Sequence, residues 1–154
     1  MEKIISRKNC LMPSSRPRIS FDKDQICNGC SNQFEKKKID WAERKREFME
    51  ICDKFRSKNS KYDCIVPWSG GKDSSSIAWK LKYEYGMNPL CVTWSPLKAT
   101  DIGRKNLDNF IHSGFNHILG TPNPSITRIL TKLSFEHIGD PFQPFIYGQT
   151  NFPL

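Results

Sequence analysis

The feature that most constrains this chain is a short apolar run that passes through a double-glycine turn into a helix. Asp63-Cys64-Ile65-Val66-Pro67-Trp68 reads as a buried strand, and Ser69-Gly70-Gly71-Lys72-Asp73-Ser74 reads as the turn. The helix that follows places Ile77, Ala78, Leu81 and Tyr85 inward and stops at Gly86, a left-handed terminator. The alternation then repeats. Leu90-Cys91-Val92-Thr93-Trp94 is a second strand, and Asp101 caps a helix that carries Ile102, Phe110 and Ile111 to Gly114. His117-Ile118-Leu119 is a short third strand. Asn123 and Pro124 open a third helix, with Ile126, Ile129, Leu130, Leu133 and His137 before Gly139. Repeated strand–helix units of this kind predict an α/β fold with a parallel sheet and right-handed crossovers. The stretch from Asp140, with Pro141, Pro144 and Pro153, has no clear period.

The N-terminal part differs. Residues 1–38 read as an irregular segment containing Cys10, Cys27 and Cys30. Residues 39–61 read as an amphipathic cover helix and a polar linker, and 62–154 as the α/β part. Asp40 and Glu43 have capping-box spacing, and Trp41, Phe48, Cys52 and Phe55 recur on one helical face. The basic excess sits here: residues 1–61 hold 16 Lys and Arg against 9 Asp and Glu, and the remainder hold 8 against 7. A basic arm suits nucleic acid, but no RNA-module motif accompanies it, so a solvated lysine-rich helix is the preferred reading. No apolar run approaches the ~20 residues needed to span a bilayer, and the start has no apolar signal region. The expectation is a cytoplasmic protein whose cysteines are thiols or metal ligands rather than disulfides.

The turn itself carries the chemistry. Glycine accepts the positive φ angles that let successive backbone N–H groups converge, and the next helix aims its N-terminal partial charge at the same point. Such a site suits a phosphate. Ser69 and Ser74 offer hydroxyls, Lys72 a full positive charge, and Asp73 either orients the loop or helps hold Mg2+. It is not a Walker A loop, because Val66 and Asp73 stand where that pattern needs glycine and a hydroxyl. It is not the dinucleotide glycine pattern either.

A strand followed by Ser-Gly-Gly-Lys-Asp-Ser and a helix resembles the PP-loop ATP pyrophosphatases. More specifically, the chain resembles the N-acetyl sugar amidotransferases. The residues that carry the likeness are Cys10-Leu11-Met12-Pro13, Arg16-Pro17-Arg18-Ile19-Ser20-Phe21-Asp22 and Ile26-Cys27-Asn28-Gly29-Cys30. Further along they are Thr100-Asp101-Ile102-Gly103-Arg104-Lys105-Asn106-Leu107-Asp108-Asn109 and Gly139-Asp140-Pro141-Phe142-Gln143-Pro144. The resemblance implies a Rossmann-like, adenine nucleotide alpha hydrolase-like sheet. It implies ATP with Mg2+ as the nucleotide, split to AMP and pyrophosphate. The substrate implied is an acetamido sugar, nucleotide-linked, converted to an acetamidino sugar for lipopolysaccharide or flagellin. Ammonia would come from partner glutaminase and cyclase-like subunits, with no membrane and no nucleic acid involved.

On this reading Ser69, Gly70, Gly71, Lys72, Asp73 and Ser74 hold the pyrophosphate end of ATP. Thr93 and Trp94 lie where adenosine would sit, although a strand threonine and a packed aromatic explain them equally. Asp101, Arg104 and Asn106 either face the crevice or serve as a cap and a solvated helix face. The family's N-terminal segment has paired C-x-x-C cysteines at both ends. Here Arg7 stands where the fourth cysteine is expected, leaving Cys10, Cys27 and Cys30 as a three-thiolate zinc site or a packed cysteine cluster. The resemblance also implies further strands beyond Leu154, without which Asp63–Trp68 is an open sheet edge. Two other readings stay open: a PP-loop tRNA-modifying enzyme, and a non-catalytic fragment or interaction module.

Overall fold

The computed structural model describes residues 10–59 and 61–154. Arg7 lies outside the described residues. The chain divides into two compact units, a first ending at Glu47 and a second running from Phe48 to Leu154.

In the first unit, Asp22 organises a tight loop: its carboxylate accepts the backbone N–H groups of Asp24 and Ile26 at 3.0 and 2.8 Å. Phe21 and Cys27 form an antiparallel bridge across that loop. Helix α1 follows at Asn28–Lys37, capped by the Cys27 thiol, which accepts the Cys30 N–H. The irregular segment expected at 1–38 therefore contains a helix. Asn28-Gly29 reads as a turn in the sequence, and a thiol is not a usual N-cap, so the helix start was hidden. Asp40 caps α2 (Trp41–Phe55) as expected, accepting the N–H groups of Ala42 and Glu43 at 3.0 and 3.1 Å. Glu43 turns to Arg46 in an exposed ion pair. The apolar face expected of α2 is mostly open. Only Cys52 is buried, while Trp41, Phe48 and Phe55 are exposed.

The second unit holds a three-stranded parallel sheet in the order β1–β2–β3, with β1 at Cys64–Pro67, β2 at Pro89–Trp94 and β3 at Asn116–Gly120. Val66 pairs with Cys91, and Cys91 with His117, so these residues share a face with Trp68 and Thr93. On that face the core assembles from Val66, Trp68, Cys91, Phe110 and Phe115, together with Ala78 of α3 (Lys72–Trp79). Trp68 stacks on Phe110 (4.4 Å between ring centres), and Phe110 stacks on Phe115 (4.3 Å). Phe110 comes from α4 (Asp101–His112), whose N-cap is Thr100 rather than Asp101. The Thr100 hydroxyl accepts the Gly103 N–H, and Asp101 occupies the first turn, where a carboxylate still complements the helix dipole.

Helix α3 widens into a π-helical turn at Lys80–Glu84, where the Tyr85 N–H donates to the Lys80 carbonyl at 3.0 Å. Gly86, Gly114 and Gly139 all take positive φ and stop their helices as the sequence predicts. Helix α5 (Pro124–Ile138) forms where expected, and its Ile126, Ile129, Leu130 and Leu133 are exposed. It packs on α6 (Gln143–Asn151), a helix in the stretch that showed no period. Helix α6 in turn lies against the other sheet face. There Phe152 lies over Gly120, where no Cβ would fit, and its ring packs against Trp94 at 5.3 Å. Among the described residues no helix is long and apolar enough to cross a membrane.

Candidate functional site

The glycine loop sits at the carboxyl end of β1, against the first turn of α3. Gly70 alone takes a left-handed conformation (φ 81°), and Gly71 (φ −82°) serves as the N-cap of α3. The expectation of left-handed freedom at both glycines therefore holds only for Gly70. Ser74 laces the loop. Its hydroxyl accepts the Ser69 N–H at 3.3 Å and donates to the Gly71 carbonyl at 3.2 Å, 3.5 Å from the Ser69 hydroxyl. Helix α3 has no side-chain cap, so its first-turn amides are not satisfied by Gly71. Lys72 and Asp73 project outward and pair with each other at 3.0 Å, both side chains more than 80% exposed. The loop thus offers a charge pair, two hydroxyls and a helix N-terminus at one point.

Trp68 fixes the loop from below. Its indole N–H donates to the Ser75 hydroxyl at 3.0 Å, and its backbone N–H extends the ladder to Val92 at 2.8 Å. Its carbonyl accepts the Thr93 hydroxyl, which lies 2.7 Å from His117 Nε2. Burial holds the His117 imidazole below the usual histidine pKa. Thr93 is therefore committed to a structural bond, while Trp94 packs beneath α6.

Beside the loop, a crevice of about 190 Å³ opens between the ends of β1 and β2 and helix α6. Ser69, Thr93 and Trp94 line it, together with Phe145, Gln149 and Pro153. The last three were not found from the sequence, because α6 lacks an apolar period. Asp101, Arg104 and Asn106 are exposed on α4 and are not among the residues lining this crevice.

In the first unit, the Sγ atoms of Cys10, Cys27 and Cys30 lie within 4.8 Å of one another. Cys10 and Cys27 are 3.5 Å apart. Tetrahedral zinc with bonds of roughly 2.3 Å needs sulfurs about 3.8 Å apart, so these thiols fit three corners of such a site. The Cys30 N–H is the main influence lowering the Cys27 pKa. The Cys30 thiol donates to the Cys27 sulfur, which holds its proton and pushes its pKa up to about 11. The cluster can hold a metal ion such as zinc. All six cysteines are free; Cys52 and Cys91 are buried, and Cys64 is half-buried.

The second unit is thus a mixed α/β protein built on a small, open, three-stranded parallel sheet flanked by helices. No family model matches the chain. It is similar to the uncharacterized protein MJ1599 of Methanocaldococcus jannaschii, with 35% identity over 74 residues. That match covers 48% of this chain, which spans about a quarter (26%) of the relative's length.

Proposed function

We propose that this chain is the nucleotide-binding part of an ATP-dependent amidotransferase acting on an acetamido sugar. The observation that carries the reading is the Ser69–Ser74 loop. It stands at the carboxyl end of β1, with uncapped α3 amides on one side and the 190 Å³ crevice on the other. Ligands of open parallel sheets bind at that end of the strands, and oriented amides suit a phosphate chain. The parallel order β1–β2–β3 agrees with half of a Rossmann-like, adenine nucleotide alpha hydrolase-like sheet.

In this proposal Ser69, Gly70, Gly71, Lys72 and Ser74 hold the β- and γ-phosphates of ATP. Asp73, paired with Lys72 here, would help hold the Mg2+ that accompanies ATP. The adenosine lies in the crevice over Trp94, under Phe145 and Gln149. The acetamido carbonyl oxygen attacks the α-phosphorus and pyrophosphate departs, leaving an O-adenylyl imidate. Ammonia adds to the imidate carbon, and AMP leaves with the former carbonyl oxygen, giving the acetamidino sugar. Partner glutaminase and cyclase-like subunits supply the ammonia, and the sugar is nucleotide-linked. The loop contributes positioning and charge stabilisation, with no nucleophilic side chain required.

The test is product analysis with ATP, a nucleotide-linked N-acetyl sugar and ammonium chloride. A sugar product one mass unit lighter, formed with AMP and pyrophosphate, supports the proposal. Formation of ADP overturns it.

A further inference from the structure

The peptide that enters the glycine loop, Trp68–Ser69, is held at both of its polar ends. Its N–H, that of Ser69, donates to the Ser74 hydroxyl. Its carbonyl, that of Trp68, accepts from the Thr93 hydroxyl. Thr93 stands one strand away on β2, and its oxygen is also 2.7 Å from Nε2 of His117 on β3.

Proton counting orders this chain. A threonine hydroxyl has one hydrogen, and the Trp68 carbonyl can only accept, so that hydrogen is spent on Trp68. The contact to His117 is then attractive only if Nε2 carries a proton and donates to Thr93. A hydroxyl that pointed instead at an unprotonated Nε2 would leave two bare oxygens, Thr93 Oγ1 and Trp68 O, in close contact. The buried ring of Trp68 packs edge-on to the imidazole, 5.6 Å between ring centres, and holds it beside Thr93. His117 pairs in register with Cys91, not Thr93, so its reach to Thr93 is a diagonal contact along the shared face.

We infer that His117 is a positioning residue for the glycine loop, fixing the Trp68–Ser69 peptide through the Thr93 hydroxyl with Nε2 as donor. With that peptide plane fixed, Gly70 has its turn started from one orientation, and the α3 amides face one point. The inference rests on the phosphate-loop reading for its consequence, but the relay can be observed without any ligand.

The test has two arms. In the unliganded full chain, ¹⁵N-resolved spectra of the imidazole should show the Nε2–H tautomer for His117 at neutral pH. The Ser69 amide should exchange faster in His117→Phe and in the near-isosteric Thr93→Val than in the parent. In the second arm the probe is inorganic pyrophosphate. Both variants should bind it about 3- to 10-fold more weakly, as expected for one hydrogen bond. The double variant should be no worse than either single one. His117→Gln, whose amide can still donate, should recover most of the affinity. An Nδ1–H tautomer, unchanged Ser69 exchange, or equal losses in His117→Gln and His117→Phe would overturn the relay. Absence of pyrophosphate binding in the parent would instead contradict the phosphate-loop reading, leaving the tautomer and exchange data to decide the relay by themselves.

Discussion

Trp94 lies directly on the bare backbone of Gly148: a Cβ built at that glycine would drive into the indole ring at Nε1. The contact seats α6 on β2 and forms one wall of the crevice beside the glycine loop. Gly148→Ala should therefore lower stability by about 1–3 kcal/mol, the usual range for overpacking. It should also shift Trp94 emission as α6 lifts. Thermal unfolding with tryptophan fluorescence checks both, and an unaltered melt would mean that α6 is not packed there.

The two loop glycines should respond differently. Gly70 has φ 81°, where a side chain costs about 1–2 kcal/mol, whereas a Cβ at Gly71 meets only the Ser69 hydroxyl at 3.5 Å. Gly70→Ala should destabilise the chain and Gly71→Ala should not. Denaturant titration of the two variants side by side separates them.

Asp63 is an acid-labile tie. Its carboxylate accepts the Ser57 and Asn88 N–H groups, each at 2.6 Å, and the Ser57 bond first, then the Asn88 bond, lowers its pKa. A carboxyl depressed in the folded state stabilises fully above its unfolded pKa of about 4 and loses that contribution as pH falls through the folded value. Asp63→Ala should cost roughly 1–2 kcal/mol at neutral pH. It should also flatten the fall in stability below pH about 4. Denaturant midpoints measured between neutral and acid pH give the comparison; parallel curves for the two proteins would contradict the assignment.

The cysteine cluster should take up about one equivalent of zinc or cobalt. Binding must displace thiol protons, most persistently from Cys30, whose pKa is raised to about 11. Affinity should therefore rise with pH through the neutral and alkaline range. Cobalt binding should show a thiolate charge-transfer band that Cys27→Ser abolishes. A chain that stays metal-free in excess zinc would leave the thiols as packing alone.

The strands were legible because β1, β2 and β3 carry apolar runs bounded by turn residues. Their parallel pairing followed from the helical patterns between them. The helix stops at Gly86, Gly114 and Gly139 were equally plain, since each needs a positive φ that glycine accepts. Helix α6 was not legible. Pro141 and Pro144 read as loop punctuation, yet Pro144 occupies a first-turn position, where its missing N–H costs nothing. Helix α1 was hidden by a thiol cap. At the candidate site, the strand–turn–helix form of the loop was legible from residue order, while the placement of Phe145, Gln149 and His117 depends on chain reversals that no local pattern records. The exposed faces of α2 and α5 show the converse: periodicity identifies an apolar face but not whether anything covers it.

In the proposed function everything depends on the Ser69–Ser74 loop gripping the phosphates of ATP. Titration calorimetry of the chain with magnesium ATP, repeated with pyrophosphate as competitor and with Gly70→Val, tests it most directly. ATP should bind, pyrophosphate should displace it, and Gly70→Val should abolish binding while helix content is retained. Absence of ATP binding, or equal affinity in Gly70→Val, would contradict it.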